Sequence, residues 1–242
     1  MTSLLEASAL ALDRRLAPTD LEVGAGQLLA IIGPNGSGKT SLLRALADVE
    51  RSDGQVQIGG EELTDAGPGR RPYLATYLPA SRELVWPILA RDVIALGLPR
   101  PDAERVDELI TLLELEPLAN RPVDRLSTGE RARVLFARAL APSPRVLILD
   151  EPLSNLDPYW ALRLLEILRG IVSGGAAAIV ALHDIDRIIA FDRALLIANG
   201  KVRADLGPDE MLESRALEEE FHIHRNASGW RVSRQAGRQS SP

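Results

Sequence analysis

Cysteine is absent from the 242 residues, and lysine nearly so. Without a thiol the chain can form no disulfide, no cysteine-ligated zinc site and no thiol nucleophile. Lysine stands only at positions 39 and 201, so arginine supplies the other 26 of the 28 basic residues. Aromatic residues make up 4% of the chain, and none falls within residues 1–32. No apolar run exceeds the seven residues 176–182, whereas a membrane-crossing helix needs about 20. The N-terminus lacks a basic flank followed by an apolar stretch, so no secretory signal is read there. Acidic residues outnumber basic ones by 34 to 28, for a net charge of −6, which argues against nucleic acid as a partner. These absences point to a soluble, cytoplasmic chain. What remains is ample: at 45% hydrophobic residues the chain can bury the core of one domain, with room for an insertion.

Two segments, 28–32 and 146–149, are apolar throughout and end at turn residues, Gly33 and Asp150. That is the pattern of parallel strands buried on both faces. A third strand is expected at 178–182, ending at His183. Each is followed by a polar or glycine-rich turn and then a helix-like pattern, which predicts an α/β core with a largely parallel sheet. The runs 4–12, 19–23 and 55–58 read instead as a small antiparallel sheet beside it. Within 91–118, Leu109, Leu112, Leu113 and Leu115 recur near helical spacing among charged residues, as in an inserted helical unit. Asn199-Gly200 marks a hairpin turn, and Lys201 just after it is expected on the surface. The polar stretch 233–242 reads as a frayed tail.

Gly33, Pro34, Asn35, Gly36, Ser37, Gly38, Lys39 and Thr40 fit G-x-x-x-x-G-K-[ST] between a strand and the amphipathic stretch that begins at Ser41. The glycines let successive N–H groups turn inward around phosphate oxygens, and the following helix adds its positive end. Lys39 would reach the β- and γ-phosphates, and the Thr40 hydroxyl would ligate Mg²⁺. Asp150, at the end of a buried strand, could hold the same metal, and Glu151 beside it could accept a proton from an attacking water. Lysine's scarcity elsewhere sharpens the first of these readings, since a compact ammonium does what a guanidinium fork does not.

Three more segments complete a pattern: Ser127, Thr128, Gly129 and Glu130 before the helix-like stretch 131–141, then Ser154 to Asp157, then His183-Asp184. In this order and spacing they resemble the signature sequence, the D-loop and the switch histidine of ATP-binding cassette (ABC) proteins. The resemblance covers residues 3–225. It implies an α/β P-loop NTPase cassette with a mostly parallel core sheet, an N-terminal antiparallel β subdomain and a helical subdomain at about 85–140. The whole would form a single ABC ATPase domain over 1–232. It further implies a head-to-tail homodimer, in which ATP lies between the phosphate loop of one copy and Ser127–Glu130 of the other. His183 would then touch the γ-phosphate, and Asp157 would lie in the D-loop. Ser127 and Glu130 also have the spacing of a capping box, and one helix end can serve both purposes.

Stretches 86–97 and 195–207 are similar to ATPase subunits of importers for iron-siderophores, haem and cobalamin. That likeness implies transmembrane permease subunits, a substrate-binding protein in the wider complex and a peripheral place on the cytoplasmic face of the inner membrane. The sequence also departs from the family. Alanine stands at position 80, where a glutamine is usual; Ser81 could substitute, or the chain could be an ATP-dependent dimerising module with little turnover. With no aromatic residue near the N-terminus to stack on adenine, Arg14 or Arg15 could lie over the base, or both could be solvated turn residues.

Overall fold

The computed structural model describes residues 3–81, 86–226 and 229–233. Of the tail expected at 233–242, residues 234–242 lie outside them, and Ser233 donates its N–H to His222 O at 2.8 Å. The chain opens with two antiparallel strands, β1 (Ser3–Leu12) and β2 (Leu16–Gly24), and then β3 (Leu28–Ile32). The glycine-rich turn leads into α1 (Lys39–Leu46), followed by β4 (Asp53–Ile58), β5 (Glu61–Glu62), α2 (Arg71–Leu74) and β6 (Ala75–Leu78). Three helices come next: α3 (Ala90–Ala95), α4 (Ala103–Leu112) and α5 (Thr128–Leu140). The chain then returns through β7 (Val146–Asp150), α6 (Pro158–Ser173) and β8 (Ala177–Ala181). It continues with β9 (Arg193–Ala198), β10 (Lys201–Leu206), α7 (Pro208–Leu212), α8 (Arg215–Phe221), β11 (Ile223–Asn226) and β12 (Gly229–Val232).

Six strands form the central sheet in the order β10-β9-β3-β8-β7-β6, parallel throughout except for β10. Beside it, β2-β1-β4-β5 form the expected antiparallel sheet. The hairpin turn is where sequence placed it: Asn199 and Gly200 both adopt positive φ, at 51° and 69°, as a two-residue turn between right-twisted strands requires.

The apolar runs are explained by burial on both faces. Along β3, Leu28, Ala30 and Ile32 join a core shared with α3–α6, while Leu29 and Ile31 join a second core beneath the antiparallel sheet and α1. β7 and β8 divide in the same way. With no solvated face to supply polar residues, these strands show no alternation. Neighbouring parallel strands must end on the same side, so β3, β8, β7 and β6 all release their chains at one edge of the sheet. In open parallel sheets that carboxyl edge is where ligands bind.

Candidate functional site

At this edge β3 releases the glycine-rich turn, β7 releases Glu151 and β8 releases His183. The turn is held from outside by two other segments. A Cβ on Gly33 would fall 2.1 Å from the carbonyl oxygen of Ile197, and one on Gly200 would fall 2.6 Å from that of Arg15. Backbone bonds from Gly200 N to Ser37 O and from Ala17 N to Gly200 O, each 2.8 Å, tie the Arg15 turn to the loop through the β9–β10 hairpin.

Lys39 begins α1 and is only 6% exposed. Its Nζ donates to the carbonyls of Gly33, at 2.7 Å, and Pro34, at 3.2 Å. Burial pushes the ammonium below the ordinary lysine value, against the opposing pull of the Glu151 and Asp150 carboxylates. The Thr40 hydroxyl donates to Asp150 Oδ2 at 2.8 Å. Asp150 is 1% exposed, and its Oδ1 and the buried Ser37 Oγ have no hydrogen-bond partner among the described residues. A buried carboxylate oxygen and hydroxyl left in this way carry a desolvation cost that a ligand would relieve. Asp150 and Thr40 are hard oxygen donors of the kind Mg²⁺ takes, so the pair fits that ion.

Glu151 adopts φ 54°. Its carbonyl accepts from Ser154 N at 3.1 Å and Ser154 Oγ at 2.8 Å, which stabilises the turn. Its carboxylate Oε1 lies 2.6 Å from Nε2 of His183. Arg14, Arg15, the glycine-rich turn, Glu151, His183, Asn199 and Gly200 together line a cavity of about 730 Å³.

Ser127 and Asp157 lie elsewhere, outside that lining. Ser127 caps α5: its Oγ accepts from Glu130 N at 3.2 Å while Ser127 N donates to Glu130 Oε2 at 2.8 Å. The bond from Ser127 N holds the Glu130 carboxyl below its usual range. Asp157 caps α6 by accepting from Trp160 N at 2.9 Å. The two caps are neighbours, since a Cβ on Gly129 would lie 3.5 Å from Asn155 O.

The two departures seen in the sequence resolve unequally. Arg15 donates to the Glu50 carboxylate through both terminal guanidinium nitrogens, Nη1 and Nη2. Arg14, at φ 58°, is almost fully exposed beside Asp13. Ser81 lines a different groove of about 530 Å³, with Val49, Leu96 and Arg138. The group that does reach Asp150 from β6 is Tyr77, whose hydroxyl stands 3.4 Å from Oδ2. The sequence assigns Tyr77 no role, and Asn199 and Gly200 only that of a turn. The sequence signal for Tyr77 is its place three residues before Ala80; the pairing of β6 with β7 that brings it to Asp150 belongs to the fold.

The sequence matches the ABC transporter family over residues 16–154. This chain is a member of the ABC transporter ATPase family. Among relatives of this ABC ATPase is the hemin import ATP-binding protein HmuV of Streptomyces coelicolor, 36% identical over 212 residues, which span 84% of this chain and 76% of the relative. A sulfate/thiosulfate import ATP-binding protein, CysA of Caulobacter vibrioides, is also 36% identical, over 81% of this chain and 61% of its own length. The fold is shared with the dimeric ATP-binding cassette MJ0796 in a post-hydrolysis state bound to ADP and Pi, with a TM-score of 0.75 at 23% identity. That match spans 84% of this chain and 98% of the other.

Proposed function

We propose that this ABC ATPase is the ATP-hydrolysing subunit of an importer for a metal chelate of the haem, iron-siderophore or cobalamin type. The observation that carries the reaction is the meeting of Lys39, Thr40–Asp150 and Glu151–His183 at one edge of the sheet. The cargo class rests on the hemin-import relative and on stretches 86–97 and 195–207.

In this reading Gly33–Ser41 enclose the triphosphate, with backbone N–H groups and the start of α1 facing its oxygens. Lys39 exchanges the carbonyls of Gly33 and Pro34 for the β- and γ-phosphates. Thr40 and Asp150 hold Mg²⁺, which when bound neutralises phosphate charge. Glu151 takes a proton from the water that attacks the γ-phosphorus, and the bond to the ADP oxygen breaks with release of ADP and phosphate. His183 leaves Glu151 to contact the γ-phosphate. Arg14, the arginine not committed to a carboxylate fork, lays its flat face over the base. Ser127, Thr128, Gly129 and Glu130 complete the site of a second copy in a head-to-tail homodimer, with Asp157 beside them.

Permease subunits in the membrane convert closure and opening of that dimer into transport, with a substrate-binding protein in the wider complex. Among the described residues no helix is long and apolar enough to cross a membrane. That fits a subunit held peripherally on the cytoplasmic face. The groove beside β6, with exposed Val49 and Leu96 on its wall, suits an apolar permease segment.

Steady Mg-ATPase activity is expected from the pure protein. Glu151→Gln should lower it about 10²- to 10⁴-fold while retaining ATP binding. Equal inactivity of parent and variant, with ATP still bound, would favour the second reading, a dimerising module with little turnover because Ala80 replaces the glutamine. In that case Ala80→Gln should restore turnover.

A further inference from the structure

Arg133 lies on α5, one and a half turns beyond the Ser127 cap, and holds two other elements at once. Its Nη1 donates to the carbonyls of Leu113, at 2.9 Å, and Glu114, at 3.0 Å, in the turn that closes α4. The flat face of the same guanidinium lies over Trp160, with Cζ 4.1 Å from the ring centroid. Trp160 sits in the first turn of α6, where its backbone N–H donates to the capping Asp157 carboxylate. Tyr159 packs edge-on against Trp160, with centroids 5.4 Å apart, and its hydroxyl donates to Glu114 Oε1 at 2.8 Å. Burial lowers the Arg133 guanidinium from its ordinary value, with Glu130, Glu114 and Asp157 opposing. At the other end of this contact, Gly129 packs against Asn155 and Leu156.

We propose that Arg133 and Trp160 are positioning residues that lock the Ser127–Glu130 helix start to the Asp157 segment, so that both move as one body. The proposal rests on the head-to-tail reading above, in which a partner copy meets these two segments together. The chemistry selects the residue types. A planar guanidinium can stack on an indole by its face while its edge reaches two carbonyls, which a lysine ammonium cannot do in one geometry. Neither residue lines the nucleotide cavity of its own chain, so the lock should govern assembly of the shared site and leave the first encounter with ATP alone.

The test uses the full chain with Trp160→Ala, Trp160→Phe, Arg133→Lys and the double variant Arg133→Lys/Trp160→Ala. Three readouts are taken: affinity for a non-hydrolysable ATP analogue, ATPase rate against ATP concentration, and Tm. Analogue affinity should stay within about twofold of the parent in all four. In Trp160→Ala, kcat should fall about 3- to 30-fold, the range set by a cation–π contact, with the Hill coefficient falling toward unity. Trp160→Phe should recover most of that loss, Arg133→Lys should not, and the double variant should be no worse than its worse single. Unchanged kcat and cooperativity in Trp160→Ala would overturn the proposal, as would losses that simply follow Tm. Gly129→Asp, which sets a carboxylate where the partner's phosphate would lie, separates the two claims. If it too keeps parental kcat and cooperativity, the head-to-tail reading has failed. If it is inactive while Trp160→Ala is active, only the lock has failed.

Discussion

Lys39 combines a buried ammonium with two borrowed carbonyl acceptors and two nearby carboxylates. Arginine at this place would keep the charge but needs room for a planar fork between Gly33 and Pro34. Lys39→Arg is therefore expected to weaken ATP binding about 10- to 100-fold, the scale of a charge-assisted hydrogen bond, measurable by calorimetric titration. The lowered value also sets a pH dependence. Because the folded chain releases this proton at lower pH than the unfolded chain, the burial penalty is felt below the folded value. It fades as pH rises through the window between the folded and the ordinary value, so stability gains there. ATP binding runs the other way: a phosphate chain needs the charged form, so affinity should fall on the alkaline side before an ordinary lysine would titrate. Lys39→Met should abolish that alkaline limb. Position 39 was legible because the motif is contiguous and lysine is rare elsewhere. The division of labour between Arg14 and Arg15 was not, since the partner that claims Arg15, Glu50, lies 35 residues away. Tyr77 escaped for the same reason, its hydroxyl meeting Asp150 only once β6 and β7 pair.

At the scale of elements, two helix starts with similar caps allow stability to be separated from chemistry. Asp102 caps α4 by accepting from Arg105 N at 2.9 Å, and Ser127 caps α5 through a capping box. Removing either cap costs about 1 kcal/mol, worth roughly 2–4 °C in Tm for a chain of this size. Asp102→Ala should show that shift in calorimetry with unchanged ATPase activity. Ser127→Ala should show a similar shift together with a loss of turnover, because the same helix end is assigned to a partner's phosphate. The strands were readable because burial on both faces leaves an unbroken apolar run. Of the leucines at 109–115, Leu109 and Leu112 fall in α4, whereas Leu113 and Leu115 follow it in the closing turn, so their spacing overran the helix. The β11–β12 hairpin was not foreseen. Its strands carry few apolar residues, and Trp230 is placed by a hydrogen bond to Asp186, 44 residues away, rather than by any local pattern.

Across the whole molecule, the parallel sheet determines where chemistry can occur. Five parallel strands deliver their ends to one edge, and the glycine-rich turn, the Asp150–Glu151 pair and His183 follow three of them. The sheet is also a wall between two cores, and β3, β7 and β8 give alternate residues to each. A residue lost from one side shifts a strand that the other side depends upon. Neither compartment can therefore melt while its neighbour survives, and thermal unfolding should be one transition, with calorimetric and van't Hoff enthalpies in agreement. Fragments cut on either side of a central strand should not fold alone. Like two rooms with a single partition, the halves of this protein stand or fall on the same few residues.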